Sequence, residues 1–244
     1  MNKKILSNAM TAAKAGLAVA LTWVSIAVAD NKPEELKQRI LNQAQSLGPG
    51  DYAFTRTIRS EQTSNGKTEQ HVNVERFDPS KSEDGGWTLV SVDGAPPSED
   101  ALASYKKESP KRRVPGYYRL AKYFGSASSV STDSHNQTVF HFNSLPKDSA
   151  ILMDSDVSSD TSADLSVAEA NGTPFVENVR LTVKPMRIKF VMKLDRYESI
   201  ARYRMGPEGK PILVEHISDM TGSGMGHEGK AHTVMTYSDY RPVR

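Results

Sequence analysis

The sequence predicts a mainly β fold of the α+β class: one long antiparallel meander that follows a single N-terminal helix and is interrupted by short inserted helices. Three observations predict it. Beyond residue 50, apolar side chains recur at every second position in one segment after another, the period of a half-buried strand. Neighbouring segments are joined by short turn signals such as Asn65-Gly66, Asn171-Gly172 and Pro207-Glu208-Gly209-Lys210. Strands joined so closely must pair antiparallel, because a parallel crossover needs a dozen or more residues. Helical spacing, in contrast, is confined to residues 33–47 and two short inserts.

The first thirty residues stand apart from this pattern. Lys3, Lys4 and Lys14 precede an apolar run over residues 15–27, and Ala27-Val28-Ala29 supplies the small residues that a signal peptidase needs. This is the pattern of a Sec-type signal peptide cleaved after Ala29. The apolar run is shorter than the roughly 20 residues of a spanning helix. No later stretch approaches that length, so the mature chain, 30–244, is expected to be a single exported domain without a transmembrane segment, periplasmic and monomeric.

Charge and cysteine content then exclude several functions. The chain has 31 Lys and Arg against 29 Asp and Glu. Removing the three leader lysines leaves 28 against 29, a formal net charge of −1. Nucleic-acid binding leans on a strong positive field that releases counterions from phosphates, and an exported chain of this charge has neither field nor access. With no cysteine, a disulfide framework and a lipid-modified N-terminal cysteine are both excluded.

Taken in order, the helix begins at Pro33-Glu34-Glu35, where proline costs no hydrogen bond and acids suit the helix dipole. Leu36, Ile40, Leu41, Ala44 and Leu47 form its apolar face, and Gly48-Pro49-Gly50 stops it. Tyr52, Phe54 and Ile58 then open a strand, Asn65-Gly66 turns it, and a return strand reaches Phe77. Further strands are predicted at 87–92, 138–142, 165–169, 175–184, 187–194, 197–205, 212–220 and 231–240. Ser98 caps a short helix from Glu99 to Glu108, and 117–124 makes another. Between these helices, residues 106–115 read as a basic surface loop. Residues 154–160, polar and poor in apolar side chains, read as a mobile interruption. In 185–205, Ile188, Phe190, Met192 and Leu194 alternate with Arg187, Lys189 and Lys193, and the apolar parity then changes from even to odd at Tyr197. A turn or bulge is expected at Asp195-Arg196, making the stretch a hairpin.

Motifs of catalysis and metal binding are weak. Gly224-Met225-Gly226-His227-Glu228-Gly229 matches the dinucleotide fingerprint by letter, but strands flank it where a strand and a helix are required. His227-Glu228 and His232 have the wrong spacing for a zincin helix. Asp154, Asp156 and Asp160 take three places of a calcium loop that has Ser159 for glycine and Leu165 for glutamate. There is no cysteine nucleophile and no GXSXG elbow. No metal, no cofactor and no catalysis are expected.

The order of elements resembles the periplasmic lipoprotein carrier superfamily, the LolA-like fold. Gly86 to Pro97 followed by a helix, and TGSGMGHEGKAHTVMTYSDYRPV, resemble segments of exported bacterial proteins of no established activity. The resemblance implies an open, strongly curved antiparallel half-barrel with helices over its concave face. It implies a lipid, an acylated molecule or another amphiphile as ligand, with Phe54, Ile58, Phe142, Ile188, Phe190, Met192 and Leu194 pointing into the concavity. A second expectation is an envelope interaction or sensory module that contacts a partner protein through Lys106, Lys107, Lys111, Arg112 and Arg113.

Overall fold

The structure, a computed structural model, describes residues 32–243 apart from Ser82, Ala127, Phe190, Val191, Pro207, Met225 and Gly226. The predicted signal peptide and Phe190 therefore lie outside the described residues. The first helix, α1 (Lys32–Gln45), carries Glu34 and Glu35 in its first turn. It fully buries Ile40 and Ala44, which stand one turn apart on the same side. After it come β1 (Tyr52–Ser64) and β2 (Lys67–Phe77). Asn65 and Gly66 take φ of 52° and 75° between them, the left-handed pair of a two-residue hairpin whose twist matches its strands.

Gly86 precedes β3 (Trp87–Val92) at φ 82°. A Cβ there would sit 2.7 Å from the Asp78 carbonyl oxygen, so only glycine fits the approach. Then come α2 (Glu99–Glu108), capped by the Ser98 hydroxyl, which accepts the Ala101 N–H at 3.2 Å, and a 3-10 helix, Tyr117–Gly125. The remaining strands are β4 (Ser129–Thr132), β5 (Thr138–Phe142), β6 (Ile151–Leu152), β7 (Ser155–Asp156), β8 (Thr161–Ala170), β9 (Thr173–Val183), β10 (Met186–Ile188), β11 (Met192–Met205), β12 (Pro211–Gly224) and β13 (His227–Pro242).

Eleven strands make one open antiparallel sheet in the order β3-β2-β1-β13-β12-β11-β9-β8-β5-β4, with β10 beside β11. β3 and β4 are its edges. The sheet curves without closing, which is the half-barrel expected. In the sheet the first hairpin lies between β3 and β13, and its pairing with β13 runs from Tyr52↔Pro242 to Ser64↔Gly229. The helices cover one face. Tyr117 stacks edge-on against Tyr203 at 5.3 Å, and its hydroxyl accepts the Val176 N–H at 2.9 Å. Phe124 meets Phe140 and Phe142 edge-on at 5.8 and 5.6 Å. At the other end, Phe54 packs among Phe77, Trp87, Tyr237 and Tyr240.

Two sequence expectations are corrected. Residues 154–160 are not a mobile interruption: β6 and β7 pair as a small hairpin, and Val157 and Ser158 are both 1% exposed. The Ser158 hydroxyl takes the N–H groups of Ser149 and Ala150, so polar side chains supply the order that apolar ones supply elsewhere. The hairpin within 185–205 turns earlier than expected. Ile188 already pairs with Met192, while of the two alternatives expected at Asp195-Arg196 the bulge holds: β11 runs on through it with a register shift between Leu194 and Arg196. A bulge and a turn both reverse parity, so alternation alone could not separate them.

Candidate functional site

On β11 and β12 the helix-covered face reads, in successive cross-strand pairs, Tyr203/Leu213, Ala201/His216, Ser199/Ser218, Tyr197/Met220, Leu194/Gly222 and Met192/Gly224. Register shifts at 194–196 and 202–203 keep these residues on one face although their parity changes. The series passes from aromatic and polar groups beneath the helices to methionine and glycine at the far end.

At that far end lies an open, mainly apolar groove of about 590 Å³. Met153, Met192 and Met220 line it together with Gly222, Gly224, Gly229 and Ala231. Glycines without side chains leave the room, and flexible thioether chains can adjust to irregular apolar guests. A Cβ on Gly222 would run into the Lys193 carbonyl, so β11 leaves no room for a side chain at this position of β12. Met153 stands on the β6–β7 turn, 51% exposed, at φ 50°. That left-handed conformation is uncommon for a methionine.

The seven residues predicted to line a concavity divide. Phe54, Phe142, Ile188 and Leu194 are packed core, none more than 4% exposed. Ile58 is half-buried and is not part of the groove lining. Met192 lines the groove, and Phe190 lies outside the described residues. Met153, Met220 and the glycines were missed. Gly224 and Gly229 sit inside the stretch that mimics a dinucleotide motif, with Gly222 just before it, and a run of small residues closing a long hairpin was their only signal.

A second, smaller space of about 170 Å³ lies beneath the 3-10 helix. Its walls are apolar side chains such as Leu120, Val157 and Leu181, together with Arg119, Tyr123, Ser149, Tyr197, Ser199, Tyr203 and His216. Burial, followed by the positive charges of Arg119 and Arg56, pushes the His216 imidazole down to about 4. Burial holds the phenols of Tyr123, Tyr197 and Tyr203 above the ordinary tyrosine value. Near neutral pH the cavity thus holds a neutral imidazole, protonated phenols and one guanidinium.

Arg56, on the same strand face as Phe54, is buried. Its Nε donates to Glu75 Oε2 at 2.8 Å, and Arg112 Nη1 donates to Glu75 Oε1 at 2.7 Å. Trp87 lies under the Arg56 guanidinium at 4.1 Å, and Tyr105 under that of Arg112 at 4.4 Å. Arg112 is therefore withdrawn from the expected basic patch, because a buried carboxylate needs a cation more than solvent does. Lys106, Lys107, Lys111 and Arg113 remain exposed, and Lys111 meets Glu108 at 3.3 Å.

His71, His141 and His232 each pair with an aspartate across strands or turns: Asp93, Asp164 and Asp219. His141 also meets Ser131 Oγ through Nε2 at 2.6 Å, while its Nδ1 lies 2.7 Å from Asp164. Ser131, His141 and Asp164 thus have the order of contacts of an acyl-transfer triad. They lie on an exposed strand face, and neither the groove nor the cavity includes any of them. No motif spacing announced this chain of contacts.

No protein-family model matches the sequence, and no curated protein is similar to it. Among solved structures, a LolA superfamily protein of Nitrosomonas europaea is 12% identical, with 85% of this chain and 94% of that one covered at a TM-score of 0.37. A domain of an outer membrane lipoprotein-sorting protein of Vibrio parahaemolyticus is 14% identical over 84% and 93%, at 0.33. A DUF1329 family protein of Desulfovibrio piger is 11% identical over 87% and 92%, at 0.25. At 11–14% identity the likeness concerns the course of the chain alone.

Proposed function

We propose that this protein is an exported, periplasmic binding protein for an amphiphile with an acyl or similar apolar chain. The methionine- and glycine-lined groove carries the proposal. Its volume, about 590 Å³, falls within the range of small-molecule sites. Its apolar lining would be costly to leave in water and matches an alkyl chain. Organic extracts of protein purified without detergent should contain a lipid by mass spectrometry, and the delipidated protein should take up cis-parinaric acid. Finding no lipid and no uptake overturns the proposal.

The function proposed is binding without catalysis. Ser131 has a histidine partner, yet it lines neither the groove nor the cavity. A fluorophosphonate probe should leave Ser131 unlabelled, and labelling that disappears in His141→Gln would instead assign a hydrolase.

A partner-docking role for the α2 loop has one observation in its favour. Arg112, fixed to Glu75 and Tyr105, anchors the loop so that Lys106, Lys107, Lys111 and Arg113 form a constant surface. Charge reversal of those four should abolish a defined crosslink in cells, and an unchanged crosslink removes the surface from consideration.

A further inference from the structure

The cavity beneath the 3-10 helix contains a cation without a counter-charge. Arg119 lines it, and among the described residues its guanidinium has neither an ion pair nor a hydrogen bond. No Asp or Glu is in the lining. The other polar side chains of the lining are neutral: the hydroxyls of Tyr123, Ser149, Thr161, Tyr197, Ser199 and Tyr203, and the His216 imidazole. Ser149 Oγ is buried and has no hydrogen-bond partner. Arg56 is close enough to act on His216, but Glu75 already neutralises it.

Such a cluster is incomplete as it stands. A half-buried guanidinium offers a planar fork of N–H donors that suits carboxylate and phosphate oxygens. Buried polar groups ordinarily find partners, and an unsatisfied hydroxyl beside an unpaired cation calls for an acceptor with charge. The surroundings favour an anion, since the Arg119 charge repels a second cation while the neutral phenols, hydroxyls and imidazole can each donate a hydrogen bond to an anion.

The cavity also leads toward the groove. His216 and Met220 lie on the same face of β12 four residues apart, about 13 Å along a strand. Leu152 lines the cavity and the next residue, Met153, lines the groove. We propose that Arg119 seats the acidic head group, a carboxylate or phosphate, of a single-chain amphiphile whose tail runs along Tyr197 and Met220 into the methionine groove. This proposal rests on the amphiphile-binding function above and adds the polarity of the ligand and its direction in the site.

Fluorescence titration with cis-parinaric acid and its methyl ester tests it, with decanoate, decyl phosphate and decanol as competitors. The wild-type protein should bind the acid about ten- to a hundredfold more tightly than the ester, the range expected for a hydrogen bond to a charged group. Arg119→Gln should remove that preference by weakening the acid far more than the ester, and Arg119→Lys should restore part of it. Because the Arg119 guanidinium bonds to no described group, and its backbone N–H bond to the Gly116 carbonyl survives substitution, both variants should melt near the wild-type temperature. If Arg119→Gln does not fold, the acid-to-ester ratio of the wild type and of Arg119→Lys decides. Equal binding of acid and ester, or an unchanged preference in Arg119→Gln, overturns the head-group site while leaving amphiphile binding intact. Binding of neither overturns both. Stronger competition by decanoate than by decyl phosphate identifies a carboxylate head group, and the reverse a phosphate.

Discussion

Met192 and His216 carry the sharpest consequences of single side chains. Met192 lines the groove and is only partly buried, so Met192→Trp should fill ligand space without crowding the core. Uptake of cis-parinaric acid should fall at least tenfold while the melting temperature stays close to wild type. A loss of about 1–3 kcal/mol would instead mark the position as packed core. His216 has its pKa lowered from the ordinary 6.5 to about 4, first by burial and then by Arg119 and Arg56. Between these values the unfolded chain holds a proton that the native state lacks. The contribution of His216 is therefore present above pH 6.5 and is lost as pH falls toward 4. His216→Asn should flatten the fall in melting temperature across that window, and parallel wild-type and variant curves would remove His216 as the cause. Arg56 illustrates what a sequence conceals at this scale. It shares the parity of Phe54 and Ile58, and that was a signal of burial, but a charged residue on an inward face is intelligible only once Glu75 and Arg112 are known to meet it.

Elements fail or hold according to the groups that close them. β1, β2 and the loop after α2 are joined at Glu75, whose side chain is 2% exposed between Arg56 and Arg112. Glu75→Gln should cost about 3–5 kcal/mol in urea unfolding, because it strands a buried guanidinium. A loss under 1 kcal/mol would mean that water replaces the carboxylate. The β6–β7 turn presents the opposite balance, since Met153 and Asp154 both adopt φ above 0, at 50° and 60°. Asparagine tolerates that region better than methionine. Met153→Asn should therefore stabilise the protein by up to about 1 kcal/mol and weaken amphiphile uptake, and a gain in both would remove Met153 from the ligand site. Helix α1 and the Asn-Gly hairpins were legible because capping, period and turn chemistry act within a few residues. The end of β10 was not, because a bulge and a turn leave the same mark on alternation. The groove was not either, because it is assembled from the ends of strands far apart in sequence.

The architecture of the whole molecule was legible as an open antiparallel meander, since short turns leave no other way to pair successive strands. What no local pattern indicated is that β1 finds its second neighbour in β13, at the opposite end of the chain. Ending the chain after Gly224 should therefore remove the strand between β1 and β12 and abolish cooperative thermal unfolding; a truncated protein that still melts cooperatively would show that the two parts of the sheet stand alone. The same pairing sets an order in time. The 16 residues of β13 are made after all the other described strands, so until then β1 and β12 each have an edge with no partner. The final sheet cannot form early by any route. For a chain proposed to leave the cytoplasm through a narrow pore, late closure keeps the polypeptide threadable, and the strand that locks the fold reaches the far side after the strands it joins.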